Sequence, residues 1–529
     1  MQRLVASSLA ALLVAGQVAG PVLANAQANS RETATPIKHL VVIFQENVSF
    51  DHYFGTYPNA LNPAGEPKFK AAANTPAVNG YTDSLLFNNP NFLNKALNGA
   101  GASNPFRLDR SEAATADQDH DYTPEQQAFH GGLMDGFPKY TGTPGPPPNG
   151  QTTNGLVMGY YDGNTVTAYW NYAQNYAMSD NSYDTNFGPS TPGAINLISG
   201  QTGGVDDAMS AGDSVIPDGS GGMTLISDAD PIGDVCSGTG AVHFSGQNIG
   251  DLLNSRGVTW GFFEGGFDLT KVNANGSTGC NRSTTSAITL TKKADYIPHH
   301  QPFQYYTSTA NPKHARPSSV KNIGFDDAAN HQYDIDDFYS AVKAGNFPSV
   351  SFLKAPGYQD GHAGYSDPLD EQTFVTGVIN FLQQQKDWEH TAVIIAYDDS
   401  EGWYDHQMSP IVNQSSTSAD ALVATGSCGD GTTALSSTTA HHAQGRCGYG
   451  PRLPLLVISP FAKQNFVDHT ITDQSSILRF IEDNWVGGQR IDGSFDSRAG
   501  VLTNMFDFKN PPNVTLILNE NTGRPANGN

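Results

Sequence analysis

A buried strand that ends in an acidic and an amide side chain constrains this sequence more than any other stretch of it. Residues 39–58 read HLVVIFQENVSFDHYFGTYP, so the apolar run Leu40–Phe44 leads directly into Gln45, Glu46 and Asn47. An apolar run without polar alternation is typical of a strand that is covered on both faces. Because ligands bind beyond the carboxyl ends of strands in open α/β sheets, we predict that Glu46 and Asn47 lie at a ligand site.

A second strand ends in the same way. Thr391–Tyr397 (TAVIIAY) is continuously apolar and is followed by Asp398 and Asp399. Taken alone, these two residues would be explained by the preference of Asp for turns. Two polar pairs after two buried strands favour a functional explanation instead, since the ends of parallel strands meet at one edge of a sheet. Carboxylate and amide oxygens suit a hard divalent cation, so we predict a metal site at this edge.

Strand patterns alternate with helical patterns along the chain. This alternation indicates an α/β fold with a mainly parallel central sheet and helices on both faces. The predicted strands also include Val258–Glu264, Ser349–Lys354 and Leu453–Ser459. Helices are predicted from Thr123 and at Val166–Tyr176, Ile249–Arg256, Asp334–Ala344, Leu369–Gln385 and Ser475–Trp485.

The chain has 55 glycines and 32 prolines among its 529 residues, which indicates many long loops. We predict a single domain over residues 29–529, with insertions near residues 59–165, 201–247 and 265–330. The length also allows two or three smaller domains.

The N-terminus has the features of a signal peptide over residues 1–28. A basic Arg3 precedes the apolar segment Leu4–Gly20, and small residues at 24–26 and 26–28 fit the cleavage rule. We therefore expect an exported protein, periplasmic or secreted; a retained membrane anchor is the alternative. No later apolar run reaches the roughly 18 residues that a membrane span needs.

Export allows the four cysteines to form disulfides, in any of three pairings. We favour Cys236–Cys280 and Cys428–Cys447, because each pair lies within one Gly/Ser-rich loop region. Metal ligation is the weaker alternative, since no C-x-x-C spacing occurs.

The formal net charge of −23 argues against nucleic acid as a partner and against electrostatic docking on anionic lipid. A metal or protonated histidines would therefore have to neutralise any anionic ligand locally.

One hydroxyl group stands out as a candidate nucleophile. Residues 186–193 read NFGPSTPG and lead into an apolar helical run, so Ser190 or Thr191 suits the N-cap and Pro192 the first turn. Capping is the structural explanation for such a serine. A helix N-terminus beside a cation would also lower the pKa of the Ser190 hydroxyl and hold an anion. Thr191 is the competing nucleophile.

Four of the 15 histidines lie in polar loops that offer no apolar face to explain them: His120, His299, His300 and His362. Histidine can bind a metal, neutralise an anionic oxygen or protonate a leaving group. The adjacent pair His299-His300 is the least easily explained by structure alone.

These motifs together resemble a known family. Gln45–Gly55 is similar to the E-N-x-S-F-D-x-x-x-G signature of the bacterial phosphoesterase family, which contains AcpA-type acid phosphatases, bacterial phospholipases C and plant non-specific phospholipases C. The resemblance extends, in the same order, to residues 188–193, 397–406 and 476–484. It implies a fold similar to the alkaline phosphatase/arylsulfatase superfamily.

The resemblance also implies roles for nine residues. Counterparts of Glu46, Asn47, Ser190, Asp398 and Asp399 hold a metal in the AcpA-like enzymes, and counterparts of His120, His299, His300 and His362 line the phosphate pocket. The phospholipase branches place Thr at the Ser190 position and usually read D-E-H-G-G where this chain has Asp399–Trp403. That departure favours phosphatase over phospholipase activity.

We therefore expect an exported acid phosphatase that uses one divalent metal, of unidentified element, and a phosphoserine on Ser190. His299 and His300 would hold phosphate oxygens, and His120 or His362 would protonate the leaving alcohol, with activity highest below neutral pH. The substrate would be a phosphorylated small molecule or lipid. The alternatives are a phospholipase C-type phosphodiesterase that acts on phospholipid headgroups with the same residues, and a non-catalytic exported metal-binding protein.

Overall fold

An eight-stranded sheet organises the part of the chain that the computed structural model describes, which is residues 33–145, 152–219, 221–429 and 444–526. The predicted signal peptide lies outside these residues. In chain order the strands are β1 His39–Gln45, β2 Ala177–Ser179, β3 Trp260–Glu264, β4 Gln332–Asp334, β5 Val350–Lys354, β6 Thr391–Tyr397, β7 Leu455–Ile458 and β8 Phe466–Asp468. Their order across the sheet is β4-β3-β5-β1-β6-β7-β2-β8.

The prediction of a mainly parallel sheet is confirmed. The five neighbouring strands β4, β3, β5, β1 and β6 are all parallel, and β1 and β6 are buried along almost their whole length. Strand β7 is the exception, because it runs antiparallel to both β6 and β2. The described part of the connection between β6 and β7 contains no helix that would carry the chain back across the sheet, so β7 starts at the edge where β6 ends.

Seven helices of eight or more residues occur in the described ranges, and they agree with the predicted helices to within a few residues. They are α1 Tyr122–Phe129, α2 Thr167–Asn175, α3 Ser190–Ser199, α4 Ile249–Arg256, α5 Ile335–Lys343, α6 Pro368–Gln383 and α7 Gln474–Trp485. Helices α3, α4 and α7 contact one another, and α2 contacts α6. No helix among the described residues has the length and apolar character needed to cross a bilayer.

The predicted insertion at residues 201–247 is more regular than expected. It forms a second sheet from the strands Gly203–Met209, Val215–Pro217, Met223–Leu225, Asp230–Pro231 and Ala241–Phe244. Much of the first of these strands is exposed, which explains why its sequence lacks the apolar alternation of a half-buried strand. Shorter elements are the helices Phe50–Phe54, Asp83–Phe87, Pro90–Leu93, Lys95–Asn98 and Phe137–Tyr140, and the paired strands Phe106–Arg107 with Gly159–Tyr160, Ser182–Tyr183 with Thr472–Asp473, and Ser283–Thr285 with Lys292–Ala294.

Both favoured disulfides are present. The reason given for the first was wrong, however. Cys236–Cys280 joins two different insertions across β3 instead of closing one loop region. Cys428–Cys447 links the two ends of a segment that is only partly described.

Candidate active site

The carboxyl ends of β1 and β6 lie side by side. The two strands are parallel and pair in register up to Gln45 opposite Tyr397, so the polar residues that follow them start at the same level. Backbone hydrogen bonds continue past the strands, because Val48 N donates to Asp399 O at 3.1 Å. Glu46, Asn47, Asp398 and Asp399 are all buried. The structure thus brings together the four side chains that the sequence pattern pointed to.

Ser190 faces these carboxylates. Its Oγ lies 3.0 Å from Glu46 Oε2 and 3.1 Å from Asp399 Oδ2. Ser190 is the first residue of α3, and Pro189 occupies the N-cap without a side-chain hydrogen bond. The prediction that Ser190 or Thr191 caps this helix was therefore wrong.

Thr191 is occupied elsewhere. Asp228, from the second sheet's loop region, accepts hydrogen bonds from Thr191 N at 2.9 Å and from Thr191 Oγ1 at 2.8 Å. Asp228 thereby supplies the cap that the sequence pattern assigned to the helix itself. Of the two candidate nucleophiles, only the Ser190 hydroxyl bonds to the carboxylates at the sheet edge.

Asn47 has two features that fit a cation ligand. Its backbone is left-handed, with φ of 52°, and its Oδ1 is buried without a hydrogen-bond partner. Left-handed backbone in a residue other than glycine is strained and concentrates at functional sites. Together with the carboxylates of Glu46, Asp398 and Asp399 and the hydroxyl of Ser190, this amide completes a donor set of oxygens only, which suits one hard divalent cation.

The adjacent histidines His299 and His300 lie on one side of the cluster. Their rings are nearly perpendicular, with centroids 4.6 Å apart, and His300 Nδ1 lies 3.4 Å from Glu46 Oε1. Burial lowers the pKa of His300 well below its ordinary value. Burial opposes the charge of His299 too, but the carboxylates of Asp228 and Asp230 outweigh it and raise the pKa of His299.

His120 and His362 lie on another side, with ring centroids 5.7 Å apart. His120 Nδ1 donates to Gln118 O at 2.8 Å, which leaves Nε2 near Asn47, 3.5 Å from its Nδ2. Burial opposes the charge of His120, but nearby carboxylates, above all Asp399, raise its pKa well above the ordinary value. Burial lowers the pKa of His362 to about 4. The two rings therefore differ in charge across most of the physiological pH range.

Two buried residues of the cluster were missed by the sequence analysis. Lys354 ends β5, and its ammonium bonds to Glu46 Oε1 and to Asp398 Oδ2, the latter at 3.1 Å. Glu401 has left-handed backbone and places Oε2 3.6 Å from His362 Nδ1. The rule that pointed to Glu46 and Asp398 would also have pointed to Lys354, because β5 neighbours β1 and ends in a charged residue.

Comparisons with known proteins identify the family of this chain. The sequence model described as "Phosphoesterase family" matches residues 37–486. The chain is 24% identical over 498 residues to "Phospholipase C A" of Mycobacterium tuberculosis (strain ATCC 25618 / H37Rv), covering 91% of this chain and 79% of the relative. It is 26% identical over 528 residues to "Non-hemolytic phospholipase C" of Burkholderia pseudomallei (strain K96243), covering 96% of this chain and 65% of the relative.

Among solved structures, a protein in the alkaline phosphatase superfamily from Vibrio parahaemolyticus is similar at 12% identity and a TM-score of 0.27, with 62% of this chain and 61% of that chain covered. A superposition this weak supports no argument about function. The family assignment instead follows from the sequence match, which spans most of the chain. The chain belongs to the Phosphoesterase family and is a hydrolase that acts on ester bonds.

Proposed function

We propose that this chain is a phospholipase C-type phosphodiesterase in which Ser190 displaces diacylglycerol from a phospholipid and carries the headgroup phosphate as a covalent ester, which water then releases. The observation that carries the proposal is the position of the Ser190 hydroxyl, 3.0 Å from Glu46 Oε2 and 3.1 Å from Asp399 Oδ2. The names of the relatives support a phospholipid substrate, and so move the preference away from the phosphatase that the sequence motifs favoured. Hydrolysis of phosphomonoesters is the second candidate, favoured by the Ser190 and Asp399–Trp403 motifs.

One divalent cation, held by Glu46, Asn47, Ser190, Asp398 and Asp399, would stabilise negative charge on the Ser190 oxygen and on the phosphoryl group. The protein's own groups do the rest. Ser190 Oγ attacks phosphorus, and its proton passes to one of the two carboxylate oxygens beside it. His299 and His300 hold phosphoryl oxygens, His299 as the charged partner and His300 as a neutral donor.

Protonation of the leaving oxygen falls to His120 before His362. The raised pKa of His120 keeps a proton available near neutral pH, whereas the pKa of about 4 leaves His362 neutral there. After the leaving alcohol departs, neutral His120 takes a proton from the water that attacks the phosphorus of the Ser190 ester. His362 supports the ring of His120, against which its own ring packs edge to face.

The proposal also covers the export and the domain organisation of the chain. A signal peptide over residues 1–28 would export one phosphoesterase domain, residues 29–529, to the periplasm or beyond the cell. The two disulfides support an oxidising compartment.

The test is a substrate panel on purified wild type and Ser190→Ala. Wild type should release diacylglycerol from phosphatidylcholine faster than phosphate from p-nitrophenyl phosphate, and Ser190→Ala should lose both activities by at least about a thousandfold. Thr191→Val is the matched control, because it removes the neighbouring hydroxyl but keeps the N–H bond to Asp228. Turnover of p-nitrophenyl phosphate alone would establish the monoesterase instead, and full activity in Ser190→Ala would remove Ser190 as nucleophile.

A further inference from the structure

A fully buried lysine closes the carboxylate cluster on the side away from Ser190. The side chain of Lys354 is 1% exposed, and its ammonium bonds to both Glu46 and Asp398. A lysine is almost never buried this completely unless its charge is paired, because removing an ammonium from water costs several kcal/mol. Lys354 is the last residue of β5, which lies between β1 and β3 in the sheet.

Glu46 connects this ammonium to the nucleophile. One of its oxygens, Oε1, bonds to Lys354, and the other, Oε2, lies 3.0 Å from Ser190 Oγ. In two-metal phosphoryl-transfer sites the two cations lie about 3.5–4 Å apart and stabilise the attacking and leaving oxygens. The ammonium of Lys354 is a cation on one oxygen of Glu46, while the other oxygen of Glu46 contacts the candidate nucleophile.

The four side chains Glu46, Asp398, Asp399 and Lys354 reach a formal charge of zero with one divalent cation. Glu46, Asp398 and Asp399 bring three negative charges when ionised, Lys354 brings one positive charge, and one divalent cation brings two. A second divalent cation would leave the cluster positive. Two further buried carboxyl groups lie nearby. Asp360 accepts a hydrogen bond from the Tyr365 hydroxyl at 3.0 Å and has Oδ2 4.0 Å from His300 Nδ1, and Glu264 accepts from Ile297 N at 3.3 Å.

We propose that the Lys354 ammonium acts as the fixed second cation of this site, so that the enzyme binds one divalent ion where the same carboxylates without the lysine would bind two. The inference rests on the proposed metal-dependent function, and it makes Lys354 a positioning residue that acts through Glu46 and Asp398. It explains why a charged residue is retained in the core of the sheet.

The experiment counts bound ions and does not depend on turnover. Purified wild type and variants are stripped of metal and dialysed against Mn²⁺, Zn²⁺ or Ca²⁺ alone, and bound metal is measured by plasma mass spectrometry and calorimetry. Wild type and Lys354→Arg should bind one ion per chain, and Lys354→Ser, which opens space beside Glu46 and Asp398, should bind two. Lys271→Ser is the matched control, because its lysine pairs with Asp334 and Asp336 elsewhere and should leave the count at one.

Lys354→Met is a second variant that keeps the volume of the side chain and removes only its charge. It should bind its first ion at least about tenfold more tightly than wild type, because a like charge beside the ion is gone. Two ions in wild type, one ion in folded Lys354→Ser, or weaker binding by folded Lys354→Met would each overturn the proposal. If Lys354→Ser does not fold, the wild-type count and the Lys354→Met affinity still decide. If wild type hydrolyses no phosphoester substrate, that result counts against the proposed function and not against the role of Lys354.

Discussion

Asp51 and Arg452 form an ion pair with no exposed surface on either side chain. Arg452 Nη2 lies 2.9 Å from Asp51 Oδ1 and 3.1 Å from Asp405 Oδ2, and the guanidinium packs over the ring of Phe50. These contacts join the Ser49-Phe50-Asp51 motif after β1 to the segment after β6. The aspartate of this family motif therefore holds the two segments together and takes no direct part in the candidate chemistry.

Removing one partner of this buried pair should be costly. We expect Arg452→Met to lower the free energy of unfolding by about 3–5 kcal/mol, because Asp405 would lose its guanidinium partner in the core and Asp51 would keep only His406. Denaturant unfolding followed by circular dichroism measures the change. Asp206→Asn, which breaks a partly exposed pair with His243, is the control and should cost no more than about 1 kcal/mol. Equal effects of the two substitutions would contradict a structural role for Arg452.

The same cluster should make stability depend on pH. His406 Nδ1 lies 2.6 Å from Asp51 Oδ2, and although burial and Arg452 oppose its charge, Asp51 raises the pKa of His406 above 6.5. A raised folded-state pKa means that the stabilisation is complete below the unfolded value of about 6.5 and is lost as pH rises through the folded value.

The measurement compares unfolding free energies of wild type and His406→Asn between pH 5.5 and pH 9. The advantage of wild type should be largest at the acidic end and should shrink as pH rises. A difference that stays constant, or that grows with pH, would show that His406 is not charged in the folded protein.

The core of the fold was predictable because its signal is local. Strands such as Thr391–Tyr397 are buried on both faces, so their sequences are continuously apolar and easily recognised. Helices such as Pro368–Gln383 begin at a recognisable cap, here Asp367 with Pro368 in the first turn. The five-stranded sheet of residues 203–244 was not predictable, because pairing between exposed strands is set by distant partners and leaves little apolar pattern.

The candidate site also has parts that were predictable from the sequence and parts that were not. Glu46 and Asp398 could be paired in advance, since two strand ends that carry polar residues need only be parallel neighbours. The hydrogen bonds from Thr191 to Asp228 could not be predicted, because they depend on how the insertion after α3 folds back onto the start of that helix. Lys354 was overlooked because a charged residue at the end of a strand ordinarily reaches solvent, and burial is a property of the assembled sheet.

Substitutions at Asn47 can separate the strain of its backbone from the proposed metal-binding role of its side-chain amide. Asn47→Gly tolerates φ of 52° but lacks the amide, whereas Asn47→Ala lacks both. Both variants should bind divalent metal at least about tenfold more weakly than wild type, which corresponds to a loss of about 1.4 kcal/mol.

Only Asn47→Ala should lose backbone stability as well, by about 1–2 kcal/mol in metal-free protein. Calorimetric titration of the stripped protein and its unfolding in chelator measure the two effects. Chelator alone should abolish wild-type hydrolysis, and added divalent metal should restore it. Wild-type affinity in Asn47→Gly would rule out the amide as a ligand.

His120 and His362 can be distinguished by leaving group. If charged His120 donates the proton, His120→Asn should slow cleavage of substrates with alkyl alcohol leaving groups by about 10²–10⁴-fold, and cleavage of p-nitrophenyl esters far less. The alkaline limb of the wild-type pH profile should reflect the raised pKa of His120 and should disappear in the variant. His362→Asn serves as the comparison. A larger leaving-group effect in His362→Asn than in His120→Asn would show that His362, and not His120, protonates the leaving oxygen.

Gly193 sets the distance between α3, which begins at Ser190, and Asp398. A Cβ atom added at Gly193 would lie 2.0 Å from the carbonyl oxygen of Asp398, so α3 can approach β6 this closely only with glycine here. Gly193→Ala should displace α3 and move Ser190 Oγ out of reach of Asp399, lowering kcat by about a hundredfold or more. Gly377→Ala is the matched control, because it lies within α6 with no atom nearer than 3.7 Å and should be neutral or stabilise by up to about 1 kcal/mol. Unchanged kcat in folded Gly193→Ala would show that the packing of α3 against Asp398 does not position the nucleophile.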